Sequence, residues 1–211
     1  MRQEGEPLED PHAGRRIDLL ELLERTVARH AAEVALAARG AEISGALFFG
    51  RLARTIAPGP IQRDMTKHFA DESQHAWFWT DCIERLAARP LKLGRTYQDQ
   101  YLSEAGLLAN TMEILALTQV FEKRVANQYA RHMAVPELRP EVKQTIERII
   151  QDERWHIRWV GEALVALESE YGKDDIERTL ERFRSADQVV YQKTLAEHEQ
   201  RVKDLVKLAP R

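Results

Sequence analysis

Cysteine occurs once in the 211 residues, at Cys82. An internal disulfide is therefore excluded, and so is any iron site built on a Cys-x-x-Cys pair. A lone thiol suits a reducing, cytoplasmic setting. Long apolar runs are also missing: no 18 consecutive residues are apolar and uncharged, so no membrane span is expected. The first 14 residues are polar, contain Pro7 and Pro11, and have no apolar core of the signal-peptide kind. Neither sign of charge dominates. Lys and Arg number 31 against 34 Asp and Glu, a net charge of −3, so nothing points to nucleic acid or an anionic membrane. No alternating strand pattern is found either.

What remains is helical periodicity. Residues 1–14 read as a mobile tail, and 15–211 as a single all-α domain with a bundle core over about 26–170. Apolar residues at steps of three and four run from Ile17 to Ile56, with Gly40 as a candidate break, until Pro58-Gly59-Pro60 stops them. The second helix is expected over about Ile61–Ala88 and the third over about Ser103–Met133. The intervening stretch, 89–103, is long enough to cross from one end of a bundle to the other. A fourth helix follows Pro140 and ends near Gly172. An extra C-terminal helix, about 174–208, carries no ligand pattern; it either covers a groove of the bundle or pairs two chains as a homodimer.

One short pattern occurs twice. Asp71-Glu72-Ser73-Gln74-His75 and Asp152-Glu153-Arg154-Trp155-His156 both read Asp-Glu-x-x-His. Glu and His three apart share a helix face. Each copy has a further glutamate upstream: Glu42 precedes Glu72 by 30 residues, and Glu122 precedes Glu153 by 31. All six residues fall on the expected inward stripes, flanked by apolar positions. Unpaired carboxylates there would cost several kcal/mol or protonate. Two cations would remove that cost. A buried salt-bridge network is the competing explanation, but the stripes carry no Lys or Arg to complete it.

Other candidates weigh less. A single Glu-x-x-His arises by chance on any charged helix. His68, one turn before Glu72, reads as a satisfied core histidine before it reads as an extra ligand or a hydrogen-bond donor behind one. Glu33 and Glu113 fall off the stripes and read as solvated. Glu104 lies 18 residues before Glu122, roughly 27 Å along a helix. Asp71 and Asp152 recur at one place in the pattern. A ligating imidazole commonly donates its other N–H to a carboxylate. Each Asp is therefore expected to serve the histidine of the other pair.

Glu42, Asp71-Glu72-x-x-His75, Glu122 and Asp152-Glu153-x-x-His156 together resemble the ferritin-like di-iron carboxylate superfamily. Its members include rubrerythrin, bacterioferritin, the ribonucleotide reductase small subunit and di-iron oxygenases. The resemblance covers about residues 26–170. It implies a four-helix bundle with a long crossover between helices two and three; the N-terminal helical extension and the fifth helix exceed a minimal ferritin. It also implies Glu72 and Glu153 as bridges, Glu42 and Glu122 as terminal ligands, and one histidine on each metal. The absence of rubredoxin-type cysteines argues against a full-length rubrerythrin.

The donor set is rich in hard oxygen and suits two iron ions, or iron and manganese. Two ferrous ions can supply two electrons to O2. The expected activity is a di-iron oxidoreductase that activates O2 or peroxide, fed by an unidentified electron donor, and oxidises a small organic molecule. Gly45, Phe49, Trp79 and Tyr129 are the residues expected around its pocket. The alternatives are ferroxidase, iron-handling or peroxide-scavenging activity in a filled site, and a helical interaction module with a residual metal site.

Overall fold

The structure is a computed structural model that describes residues 19–86, 101, 104, 106, 108–135 and 138–207; side chains are described for 31, 34–86, 101, 104, 106, 108–135 and 138–193. The expected N-terminal tail, most of the crossover and the Glu33 side chain lie outside these residues. All elements among the described residues are helices: α1 Leu19–Ala53, α2 Pro60–Arg85, α3 Thr111–Met133, α4 Pro140–Ala166, the single turn α5 Glu168–Tyr171, and α6 Lys173–Lys207. None is long and apolar enough to cross a membrane.

The stretch from 19 to 53 is one helix, with Gly40 inside it rather than at a break. Its 35 residues span roughly 50 Å. A short connection over 54–59 folds α2 back onto it. Pro60 opens α2, where its missing N–H would be unpaired anyway. Pro140 opens α4 in the same way.

Two boundaries differ from expectation. The third helix begins at Thr111, eight residues after Ser103, because Asn110 caps it: the Asn110 side chain accepts from Glu113 N–H at 2.9 Å. Gly106 just upstream has φ 80°, which a continuing helix cannot accommodate. The fourth helix ends at Ala166 rather than running to Gly172. Gly172 instead closes the α5 turn with φ 81° and starts α6.

Helix α1 packs on α2, α2 on α4, α4 on α3, and α6 on α3. The C-terminal helix thus covers the outside of α3, burying Ile176, Leu180, Phe183 and Val190. Asp187, which interrupts that apolar stripe, is buried in an ion pair with Arg124 of α3.

Two apolar clusters fill the bundle. One gathers Phe49, Met65, Leu115, Trp159, Val160 and Phe183. The other gathers Ala35, Trp79, Cys82, Tyr129, Ile146 and Ile149. On each of α1, α2, α3 and α4 the ionisable residues fall between the positions that feed these clusters. The polar layer is therefore sandwiched in mid-bundle, sealed from water at both ends.

Candidate metal centre

Each helix delivers its donors by period alone. On α2, buried positions run Met65, His68, Glu72, His75, Trp79 and Cys82; on α4, they run Ile146, Ile149, Glu153, His156 and Val160. Glu42, Glu72, His75, Glu122, Glu153 and His156 are all buried. The structure brings all six expected residues together.

His75 Nδ1 lies 3.8 Å from Glu42 Oε2 and 3.5 Å from Glu153 Oε1. His156 Nδ1 lies 3.4 Å from Glu122 Oε2, 3.6 Å from Glu72 Oε1 and 3.8 Å from Glu153 Oε2. The two oxygens of Glu153 thus face one histidine each. Glu72 reaches the Glu122/His156 side and also hydrogen-bonds with Glu42. These two carboxylates join two half-sites, with Glu42 and His75 on one side and Glu122 and His156 on the other.

The outer nitrogens point the opposite way, across the pairs. His75 Nε2 is 3.2 Å from Asp152 Oδ2, and His156 Nε2 is 3.3 Å from Asp71 Oδ2. Each imidazole is therefore oriented by an aspartate from the other Asp-Glu-x-x-His helix, its Nδ1 facing inward. Asp71 also accepts from Lys67 Nζ at 2.5 Å, and Lys67 lies over the Trp155 ring. Asp152 forms part of the wall of an open cleft of about 600 Å³ between α2 and α4, together with Gln74, Phe78 and Arg148.

Whether these residues fit a metal is tested by their unpaired atoms. His75 Nδ1, His156 Nδ1 and both Glu153 oxygens are buried and make no hydrogen bond. Orphaned acceptors and lone pairs are rare in a core, and here they converge. Donors around an ion at about 2.1 Å lie roughly 3.0–3.4 Å apart, which the shortest of these separations match. Among the described residues, the only cationic groups within ion-pair distance of the four carboxylates are imidazoles. The salt-bridge explanation therefore has no Lys or Arg to work with. Buried sets Glu42/Glu72/His75 and His68/Glu72/Glu122/His156 each have the composition and spacing to hold an ion.

Proton affinities in the metal-free chain reflect the crowding. Burial, then the charges of Glu42, Glu122 and Glu153, push Glu72 well above the ordinary carboxylate range. Burial and then Glu122 push Glu153 up to about 8. Burial acts against Glu122 and Glu42 as well, but His68 and His156 hold the first well below its ordinary value, and His75 and Tyr129 help lower the second. Burial opposes charge on His156, yet Asp71, Glu122 and Glu153 raise it to about 11. Protons thus take the part that cations would otherwise play.

Three residues behave differently from their sequence reading. His68 belongs to the cluster: its Nε2 lies 3.2 Å from Glu122 Oε1 and 3.3 Å from Glu72 Oε1. Its place one turn before Glu72 was legible; the arrival of Glu122 at the same nitrogen was not. Gly45 faces the Glu72 carboxylate rather than open space, since a Cβ there would sit 2.8 Å from Glu72 Oε2. Glu113 is not simply solvated. It accepts from Ala109 N–H at 2.7 Å and from Arg182 at 2.8 Å, tying α6 to the start of α3.

The other residues expected around a pocket pack tightly. The Phe49 ring lies 4.1 Å from that of His68. Trp79 Nε1 donates to Tyr129 at 3.2 Å, and the Tyr129 hydroxyl donates to Glu42 Oε1 at 2.5 Å. Glu104 is exposed and pairs with Lys193, far from the centre in role.

Compared with protein-family models, with curated proteins and with solved structures, the chain matches none.

Proposed function

We propose that the chain is a ferritin-like, non-haem oxidoreductase that activates O2 or peroxide at two iron ions, or at iron and manganese. One observation carries this: four buried carboxylates and two imidazoles from four helices converge, and the Nδ1 atoms of His75 and His156 and both Glu153 oxygens have no hydrogen-bond partner. Glu42 and His75 would hold one ion, Glu122 and His156 the other, with Glu72 and Glu153 between them. Such a pair supplies the electrons for reduction of O2 or peroxide. The chain's own contribution is orientation through Asp71 and Asp152, and exclusion of water by the two apolar clusters. An electron donor must restore the reduced state.

The oxidised substrate is a small organic molecule in the reading that the resemblance favours. A second reading, iron oxidation or peroxide scavenging, is favoured by the space at Gly45, which Glu72 occupies. The tight packing of Phe49, Trp79 and Tyr129 points the same way.

Anaerobic reconstitution with ferrous iron, followed by O2 with optical and Mössbauer detection, tests the proposal. Two irons per chain and their oxidation by O2 are expected. Consistent binding of none or one would overturn it. Iron consumed as the substrate, with turnover of added Fe2+, would select the second reading.

A further inference from the structure

We propose that His68 is a third imidazole donor for the Glu122/His156 position, so that the two metal positions are unequal and this one fills first. The proposal rests on the dinuclear reading above. His68 is fully buried, and neither ring nitrogen makes a hydrogen bond. Its Nε2 nevertheless lies 3.2 Å from Glu122 Oε1 and 3.3 Å from Glu72 Oε1. A nitrogen this close to two carboxylate oxygens, yet aligned as a donor to neither, has its lone pair available for a shared centre. Both separations fall within the roughly 3.0–3.4 Å expected between donors on one ion.

The ring is also fixed in place. One neighbour, His156, stacks on it at 3.6 Å and 19°. Phe49 lies against it at 4.1 Å, and the edge of Trp159 meets it at 5.8 Å. A donor held by three rings needs little reorganisation to ligate. Among the described residues, the Glu42/His75 position has no corresponding nitrogen; His75 Nδ1 stands 3.5 and 3.8 Å from its carboxylates, much as His156 Nδ1 does at the other position. The aspartates behind the histidines differ as well. Asp152 is 34% exposed on an open cleft, whereas Asp71 is 15% exposed and covered by Lys67. An added imidazole raises affinity for the later first-row divalent ions. Nitrogen count and shielding therefore favour the same position.

The test is an anaerobic titration of the full chain with Co2+ alone, read by visible absorption and by competition with a chelator. The wild-type chain should bind two ions in two phases. His68→Gln should weaken the tighter phase by at least about tenfold and change its absorption, leaving the weaker phase in place. Glu42→Gln should do the reverse. His68→Phe keeps the ring stack without its nitrogens, and should repeat the selective loss if the Gln variant fails to fold by circular dichroism. Two indistinguishable phases in the wild type, or unchanged constants and spectra in the His68 variants, would overturn the proposal while leaving the dinuclear centre standing. A wild-type chain that binds no cobalt would remove both.

Discussion

Gly45 shows how a single hydrogen atom sets the centre. Alanine in a helix interior is favoured over glycine by about 1 kcal/mol. Yet the added Cβ would lie 2.8 Å from Glu72 Oε2, so the carboxylate must move. Gly45→Ala should therefore raise or maintain the melting temperature of the metal-free chain and shrink the increment that metal adds to it. Thermal unfolding with and without Fe2+ under nitrogen checks both signs; an undiminished increment would mean that Glu72 does not bind metal in this position. The aspartates are a second test. Asp71→Asn and Asp152→Asn keep size and all six ligands but remove the charge that His156 and His75 face at 3.3 and 3.2 Å. Each should lower metal affinity by roughly 10- to 100-fold, measured by chelator competition. Wild-type affinity in both variants would sink the cross-pair role.

At the scale of the helix, stability and site are separable. Helix α6 contributes no donor but buries Phe183 completely, beside Leu180 and Ile176. Tyr101 donates its hydroxyl to the Phe183 carbonyl, so the same residue anchors the segment before α3. Phe183→Ala should cost about 3–5 kcal/mol in urea unfolding of the metal-free chain. Metal stoichiometry should stay at two, because α1 to α4 retain their register. A variant that loses one ion would show that α6 holds the ligand helices in place. The boundaries of the elements teach a related lesson. Periodicity marked the inward faces of α1 to α4. It did not place the start of α3, because that start is set by the Asn110 cap, a polar contact three residues long that leaves no mark on the apolar stripe; only Glu113's contact with Arg182 depends on a helix 69 residues away.

For the molecule as a whole, the buried charge cluster sets the response to pH. Glu153 is raised to about 8 when folded, against an ordinary 4.5. Between those values the folded chain keeps a proton that the unfolded chain has lost, so stability falls as pH rises through that window. His156 acts in the same direction between 6.5 and about 11. Glu122, held low, acts oppositely: its contribution is present above the unfolded value and lost only in acid. The metal-free chain should thus be most stable in mild acid and melt progressively earlier toward pH 8. Metal must displace these protons, so its affinity should rise over the same range. Calorimetry of metal-free and metal-loaded chain at pH 5, 6, 7 and 8 reads both slopes; a metal-free stability that climbs from pH 5 to 8 would contradict this charge distribution.

The amino-acid sequence by itself determined the helical class, the inward faces and the six-residue donor pattern. Those properties follow from a 3.6-residue period and from the cost of burying charge, both of which act locally. It also carried the cross-pair aspartates, because the Asp recurs at one place in the pattern and a ligating imidazole needs an acceptor for its other N–H. Tertiary structure alone decided what depends on two helices meeting at one point. His68 stands at a ligand spacing only because Glu122 arrives from α3 and His156 stacks on it from α4. Gly45 makes room for a carboxylate only because α2 crosses α1 at that turn. The Trp79–Tyr129–Glu42 chain likewise joins three helices through single atoms. Periodicity names the face of a helix, whereas distances of three ångströms between helices are set by packing.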